Sequence, residues 1–161
     1  MRKALAHSRN IPAVKTLYLA GVADSIETAE AMGITSLKDP NRYGLTLVLG
    51  GGEVSLLELT SAYGVFANDG VRNPYRSILK VEDKQGNILE EAGFNQTQAI
   101  TVQAARQIAD ILSDPTVRLE SMTNSISGLN RQIATKTGTT NDFRDVWIEG
   151  FTPNVVVGAW A

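Results

Sequence analysis

Two stretches of the chain repeat apolar residues at helical spacing. Leu56, Leu59, Tyr63 and Phe66 recur every three or four positions, a spacing that places side chains on one face of an α-helix. A second stretch repeats this pattern with Val102, Ala105, Ile108, Ala109 and Leu112. We therefore predict amphipathic helices over about 56–68 and about 99–112, with their apolar faces in the core.

Capping and stop signals place further helices in the first half of the chain. A short helix is predicted over 2–7, and Pro12 suits the first turn of a second helix that ends at Gly21. Asp24 or Ser25 is predicted to cap a third helix, which ends at Gly33. Residues 37–43 read as a loop that turns at Asp39-Pro40-Asn41, and Ser55 and Glu58 form a capping box.

Extended segments dominate the second half of the chain. The runs 133–137, 146–151 and 155–160 are predicted strands, and the last two are joined closely enough to pair antiparallel. An earlier hairpin is predicted from 77–82 and 87–90, with its turn at Asp83-Lys84-Gln85-Gly86. Residues 121–130 are rich in Ser, Asn and Gly and are predicted to form an irregular loop.

Composition narrows the function classes. The 161 residues fit one domain or part of one, 43% are apolar, and the net charge of −2 gives no basic field for nucleic acid. The absence of cysteine and the single histidine argue against disulfides, iron–sulfur clusters and Cys/His zinc sites. We expect no membrane segment and no signal peptide in this chain. Its start at Met1-Arg2-Lys3 suggests a cut into a helix, and hence an excised fragment.

The stretch 133–140 carries the strongest chemical signal. Side chains alternate along a strand, so Thr137 and Thr139 project to one side. Gly138 leaves a gap where a ligand can approach the backbone, and Lys136 supplies an ammonium nearby. Hydroxyls and an ammonium donate charge-assisted hydrogen bonds to a carboxylate. This arrangement suits an anionic ligand lying along the strand, whereas the alternative is a polar strand end leading into a loop.

Two triplets, Ser8-Arg9-Asn10 and Lys136-Thr137-Gly138, lie near opposite ends of the chain. They match, in order, the last two of the motifs S-x-x-K, S-x-N and K-T-G, and the sequence therefore resembles the class A, bifunctional penicillin-binding proteins, which share these motifs. The surrounding runs resemble the family as well, over 2–15, over 49–59, 62–63 and 66–70, and over 136–147 and 150–153, so that the resemblance covers nearly the whole chain. The chain is therefore similar to the transpeptidase domain of these enzymes, and residues 1–161 are expected to form part of that domain.

The resemblance implies a role for each matching residue. Ser8 would relay a proton to the leaving amine, Asn10 would hydrogen-bond the donor peptide, and Lys136 would keep the relay in the right charge state. Thr137, Gly138 and Thr139 would hold the terminal carboxylate of a D-Ala-D-Ala stem peptide or of a β-lactam. The backbone N–H of Thr139 would supply half of the oxyanion hole.

The main departure from the family pattern is that the S-x-x-K motif, which supplies the nucleophile, is missing. We expect the nucleophilic serine to lie upstream of Met1 and the isolated chain to be inactive. Ser77-Ile78-Leu79-Lys80 matches the motif by letter but is predicted to be extended, whereas the mechanism needs Ser and Lys one helical turn apart. The second candidate for the nucleophile pair, Thr35-Ser36-Leu37-Lys38, lies in a predicted loop.

The implied fold is α/β of the α+β type, with an antiparallel sheet packed against helices and a cleft between them. The implied activity is peptidoglycan D,D-transpeptidation on the extracytoplasmic face of the bacterial membrane, by a membrane-anchored parent that also carries a glycosyltransferase domain. The implied partners are stem peptides and β-lactams, and no metal or organic cofactor is implied. Unpaired sheet edges predict self-association or an unusually adapted packing. A non-catalytic peptide-binding module and a β-lactamase-like hydrolase are the alternatives.

Other candidate sites carry weaker signals. Gly50-Gly51-Gly52 lacks the Gly-Lys-Ser/Thr ending of a phosphate-binding P-loop, and we interpret it as a tight connection. His7 has no metal-ligand partner at suitable spacing. Asp142 and Asp145 could form a carboxylate pair for glycoside cleavage, but their place beside Arg144 in a loop favours solvated or ion-paired side chains.

Overall fold

A computed structural model describes residues 1–118, 130–140 and 144–161. The helices are α1 (Arg2–Ala6), α2 (Asn10–Ala20), α3 (Val22–Met32), α4 (Pro40–Tyr43), a 3₁₀ segment (Gly44–Leu49), α5 (Leu56–Ala67) and α6 (Val102–Ser113). The strands are β1 (Val71–Arg72), β2 (Lys80–Glu82), β3 (Ile88–Glu91), β4 (Thr97–Gln98), β5 (Ala134–Thr139), β6 (Val146–Thr152) and β7 (Val155–Trp160). No helix in these ranges has both the length and the apolar character needed to cross a membrane.

The three C-terminal strands form one antiparallel sheet in the order β5-β6-β7, as the sequence predicts. In its register, Ala134 pairs with Phe151 and Phe151 with Val156. Directly paired residues share a face of the sheet, and helices α5 and α6 cover the face that carries these three. The predicted hairpin is also confirmed, since β2 and β3 pair antiparallel around 83–86, while β1 and β4 form a separate short ladder.

The main core cluster joins the sheet to three helices. Leu112 of α6, Ala134 of β5 and Phe151 of β6 are buried in it, and Leu5 of α1 and Tyr63 of α5 pack against them. The Tyr63 and Phe151 rings meet edge-on, with their centroids 6.2 Å apart. Because α1 and β5 share this cluster, the ends of both elements are held in a fixed relation. A second cluster forms around Ile26, Leu37 and Tyr43.

Helix α3 does not start where its sequence predicts. The helix begins at Val22, so the predicted caps Asp24 and Ser25 lie inside its first turn. Gly21, at φ +88°, both ends α2 and precedes α3, and the hydroxyl of Ser25 donates to the Gly21 carbonyl instead of capping. The predicted end is confirmed, because Gly33 takes the left-handed conformation that closes many helices.

The predicted loop over 37–43 is only partly correct. Pro40–Tyr43 forms a short helix, whose N-cap Asp39 accepts a hydrogen bond from the backbone N–H of Asn41 at 3.0 Å. The 3₁₀ segment follows it and ends at Gly50, at φ +96°. At Gly51 a Cβ would lie 2.9 Å from the Thr46 carbonyl oxygen. The glycines therefore serve a close chain crossing, in agreement with a tight connection.

The two long amphipathic helices are confirmed: α5 starts where predicted, and α6 starts later. Ser55 caps α5, because its hydroxyl accepts from the Glu58 N–H at 3.2 Å. The Glu58 carboxylate, however, accepts mainly from Thr35, so the second half of the predicted capping box is replaced by a contact to a distant residue. Helix α6 begins at Val102, three residues later than predicted, because the Thr101 hydroxyl caps it. Val102 itself is 41% exposed, so the prediction that it lies in the core is wrong. Except for Asn130, the predicted loop over 121–130 lies outside the described residues.

Candidate active site

Ser8 lies in a tight helix ending between α1 and α2. Its backbone N–H donates to the Leu5 carbonyl at 3.1 Å, and that of Arg9 donates to the Ala4 carbonyl at 2.9 Å. These two bonds define a Schellman ending, whose turning residue is usually glycine. Ser8 takes this position at φ +51°, a conformation that costs a non-glycine residue about 1 kcal/mol. The turn leaves the serine side chain exposed, and Asn10 opens α2 two residues later.

Lys136 lies in the middle of β5 and reaches the Ser8 turn. Its ammonium donates to the Ser8 hydroxyl and to the backbone carbonyl of Thr137, the latter at 2.6 Å. Ser8 and Lys136 are 128 positions apart in the chain. The fold thus joins the two segments that the sequence singles out, the S-x-N triplet and the K-T-G strand, through a direct side-chain contact.

Packing and ion pairs explain why these two segments meet. Leu5, three residues before Ser8, packs into the same cluster as Ala134, two residues before Lys136. On the surface, Arg2 forms ion pairs with Asp110 and Asp114 of α6. Helix α1 is therefore fixed both to the sheet and to α6, and its C-terminal turn is directed at β5.

The three residues after Lys136 form an open strand end. Exposure increases along β5, from the buried Ala134 and Thr135 to the exposed Gly138 and Thr139. By alternation, Thr137 and Thr139 share the face opposite to that of Lys136. A Cβ at Gly138 would lie 3.6 Å from the Trp147 Cβ, in ordinary contact. The fold itself does not require this glycine, so the gap stays available for a ligand.

The outer edge of β5 carries free backbone groups. Within the described ranges β5 pairs with β6 and with no other strand. Val146 and Ala161 exchange both backbone hydrogen bonds, so Ile148, two residues further along β6 and opposite Thr137, also directs its backbone groups to β7. The Thr137 carbonyl therefore points to the outer edge, where it accepts from Lys136. In a strand, the N–H and C=O of alternate residues point the same way, so those of Thr139 also face this edge. An extended anionic ligand could pair here with the backbone while the hydroxyls flank it.

The charge state of Lys136 depends on its half-buried position. Burial lowers the pKa of Lys136 below its ordinary value of 10.5, because desolvation disfavours the charged ammonium. A lysine with a lowered pKa gives up its proton more readily, which is the property that a proton relay needs. The hydroxyl of Ser8, in direct contact, is the group to which such a relay would connect.

The other sequence candidates do not form sites. Ser77 precedes β2 in non-helical backbone, and Lys80 forms an ion pair with Glu82 in the strand, so Ser77-x-x-Lys80 lacks the helical geometry of a nucleophile pair. The run 35–38 is also non-helical. His7 caps the end of α1. Asp142 lies outside the described residues, and Asp145 accepts from the Trp160 indole N–H at 3.0 Å. No group of three or more metal-ligating side chains occurs in the part of the chain that the structure describes.

Glu149 lies beside the site but belongs to none of the sequence motifs. It is only 2% exposed and lies on β6 directly opposite Lys136. Burial raises the pKa of its carboxyl to about 7, although a hydrogen bond from Thr60 opposes this effect. Its position could have been inferred from alternation, because Trp147 and Phe151 lie two residues away on either side and Phe151 is an apolar core residue.

Comparisons with known proteins identify the family. The profile described as "Penicillin binding protein transpeptidase domain" matches residues 1–157. Penicillin-binding protein 1A of Aquifex aeolicus is 39% identical over 160 residues, and the match covers 99% of this chain and 21% of that relative. The chain thus spans about a fifth of the length of this relative.

Solved structures agree on the fold. The crystal structure of penicillin-binding protein 1A from Haemophilus influenzae superposes with a TM-score of 0.81 at 24% identity, over 99% of this chain and 29% of that one. The imipenem acyl-enzyme complex of penicillin-binding protein A from Mycobacterium tuberculosis superposes with a TM-score of 0.80 at 19% identity, over 99% of this chain and 41% of that one. These structures share the arrangement of helices and three antiparallel strands described above. The profile match over residues 1–157 establishes that the chain belongs to the penicillin-binding protein transpeptidase family.

Proposed function

We propose that residues 1–161 form half of the active site of a serine D,D-transpeptidase that cross-links peptidoglycan stem peptides. The observation that carries this proposal is the contact between the Lys136 ammonium and the Ser8 hydroxyl, which joins two family motifs from opposite ends of the chain. In this proposal the S-x-x-K helix with the nucleophile lies outside residues 1–161, and the isolated chain does not acylate.

Three side chains of residues 1–161 take part in the proposed reaction. The nucleophilic serine attacks the carbonyl of the penultimate D-Ala, the peptide C–N bond breaks, and the departing D-Ala amine takes up a proton. Ser8 relays that proton, and the lowered pKa of Lys136 lets its ammonium replenish it. Asn10, at the start of α2, hydrogen-bonds the donor peptide. An amine of a neighbouring stem peptide then displaces the serine and forms the cross-link.

The open end of β5 binds the ligand in this proposal. Thr137 and Thr139 donate their hydroxyls to the terminal carboxylate of D-Ala-D-Ala or of a β-lactam. Gly138 lets the ligand approach the strand closely. The Thr139 N–H, which faces the outer edge of β5, contributes half of the oxyanion hole, where one donor is worth roughly 10²–10³ in rate.

We place the parent protein, by analogy with the family, at the extracytoplasmic face of the bacterial membrane. Its membrane anchor and a glycosyltransferase domain would lie outside residues 1–161. No metal and no organic cofactor enters the proposed reaction, since the relay and the oxyanion hole perform the proton transfer and charge stabilisation.

The test is acylation by a fluorescent penicillin. The full-length parent protein should be labelled, and Lys136→Ala should slow its acylation by about 10²-fold or more. Lys15→Ala, which removes an exposed lysine of α2, is the matched control and should leave the rate unchanged. The 161-residue chain by itself should not be labelled.

Three outcomes would decide against the proposal. Labelling of the isolated chain that disappears in Ser77→Ala would assign the nucleophile to Ser77. A parent that binds D-Ala-D-Ala peptides through Thr139 without being labelled would be a binding module. Rapid turnover of a chromogenic cephalosporin would indicate a β-lactamase-like hydrolase.

A further inference from the structure

Glu149 is a buried acid without a full set of hydrogen bonds. It is 2% exposed in β6, where α5 covers the sheet. One carboxyl oxygen, Oε1, accepts from the Thr60 hydroxyl at 3.3 Å, and Oε2 has no hydrogen-bond partner among the described residues. A buried, ionised and poorly paired carboxylate is costly, so this environment favours the protonated acid.

Glu149 and Lys136 are direct neighbours across the sheet. The register pairs Lys136 with Glu149 and Glu149 with Gly158, so these three residues form one row on the helix-covered face. Their Cβ atoms are about 5 Å apart in such pairs. The carboxyl lies over Gly158, where a Cβ would be 2.7 and 2.8 Å from its two oxygens. Lys136 extends the opposite way, to Ser8.

Few charges face this carboxyl from the elements packed around it. Helix α5 contributes Thr60 and Tyr63, and the pKa of Tyr63 is raised to about 12, first by burial and then by the charge of Glu149. Its phenol is therefore neutral near pH 7. Strand β7 contributes Gly158, which carries no charge, and β5 contributes Lys136. In the described part of the chain, Lys136 is thus the cation toward which an ionised Glu149 would turn.

We propose that Glu149 is a positioning residue that acts on Lys136 from the neighbouring strand. While protonated, Glu149 stays over Gly158 and leaves the ammonium on the Ser8 hydroxyl. When it ionises, its proton passes to solvent, and the carboxylate draws the ammonium along the sheet and holds it charged. The inference rests on the proposed function only for the catalytic role of Lys136. The coupling between Glu149 and Lys136 can exist whether or not the protein is a transpeptidase.

The coupling can be measured by NMR on the 161-residue chain. The Glu149 carboxyl carbon and the Lys136 Cε and Nζ would be followed from about pH 5 to pH 11. We expect the Lys136 signals to shift together with the Glu149 carboxyl, near pH 7. In Glu149→Gln this step should vanish, and the pKa of Lys136 should fall, because the neighbouring negative charge that favours the ammonium has been removed.

Controls separate this effect from a change in folding. Glu53→Gln, which replaces an exposed acid, should leave the titrations of Glu149 and Lys136 unchanged. If the glutamine of Glu149→Gln packs poorly, Glu149→Val removes the same charge and should shift the Lys136 titration in the same way. Lys136 signals that stay constant while Glu149 titrates in the unmodified chain would overturn the inference without any variant. Such a result would leave the penicillin-labelling test of Lys136→Ala unaffected, so the two proposals fail separately.

Discussion

Single residues at this site combine structural and chemical demands. Gly138 shows the distinction, because its neighbourhood accepts a methyl group: a Cβ would meet only the Trp147 Cβ, at 3.6 Å. Gly21 and Gly33, by contrast, take positive φ angles that a side chain resists. The fold therefore does not require glycine at 138, whereas the proposed ligand position does.

Gly138→Val separates these two demands. We expect the free energy of unfolding to change by less than about 1 kcal/mol, because β-branched residues suit strands, while ligand access along β5 is blocked. Urea unfolding would measure the first effect, and the acylation rate of the parent protein by penicillin the second. Normal acylation in a folded variant would contradict the proposed ligand position.

Glu149 predicts a pH dependence of stability. Its pKa is raised from 4.5 to about 7 in the folded chain, so the folded state binds more protons than the unfolded state between these values. The free energy of unfolding should therefore fall as the pH rises from about 4.5 to about 7, by on the order of 2–3 kcal/mol, and then level off.

Glu149→Gln should remove this slope, because the amide does not titrate in that range. Urea unfolding at about pH 5, 6 and 8 would measure the slope, with Glu53→Gln as the exposed control. An equal slope in unmodified chain and Glu149→Gln would mean that the carboxyl is solvated in the fold.

At the scale of elements, local signals predicted most of the architecture. Gly33, the Asp83–Gly86 turn and the alternation in β6 each act through backbone geometry or burial within a few residues, so the sequence suffices to find them. The start of α3 was missed because Asp24 and Ser25 are good caps by type, yet Gly21 allows the helix to begin earlier. Helix α4 is a single turn, too short to show periodicity.

The site itself depended on information that no local pattern contains. The motif residues could be named from a resemblance, but the Ser8–Lys136 contact exists because Leu5 and Ala134 enter the same core cluster. Alternation indicates which face of β6 carries Glu149, but its burial results from α5 covering that face. Long-range packing decides such contacts, and periodicity does not report which faces meet.

The packing of α5 on β7 gives a prediction at this scale. A Cβ at Gly158 would collide with the Thr60 hydroxyl and with the Glu149 carboxyl, so Gly158→Ala should lower the free energy of unfolding by about 1–3 kcal/mol. Gly93→Ala, at a glycine with open space around its Cα, should have little effect. Thermal unfolding would compare the two, and equal melting temperatures would contradict the close packing.

At the scale of the whole molecule, the sheet presents an uncovered apolar face. Val146, Ile148, Val155 and Val157 lie on the side opposite the helices and are 42–59% exposed. In the described ranges, the outer edge of β7 pairs with no other strand. Exposed strands of this kind tend to pair with other chains, and we propose that the isolated chain self-associates through this face.

Light scattering at micromolar concentration would test this proposal. We expect dimers or larger species, and Val157→Lys should shift the population to monomer by placing a charge at the edge. Val48→Lys, at a similarly exposed valine outside the sheet, should leave the association unchanged. A clean monomer of the unmodified chain would refute the proposal.

The left-handed backbone at Ser8 has a consequence for protein engineering. A screen for thermal tolerance alone would favour glycine at this turn, because glycine adopts φ +51° without strain. The variant would melt later and yet lack the hydroxyl that Lys136 contacts. Variant libraries of this protein should therefore keep serine at position 8 or be selected for β-lactam binding as well as for thermal stability. Stability and activity favour different residues at this position.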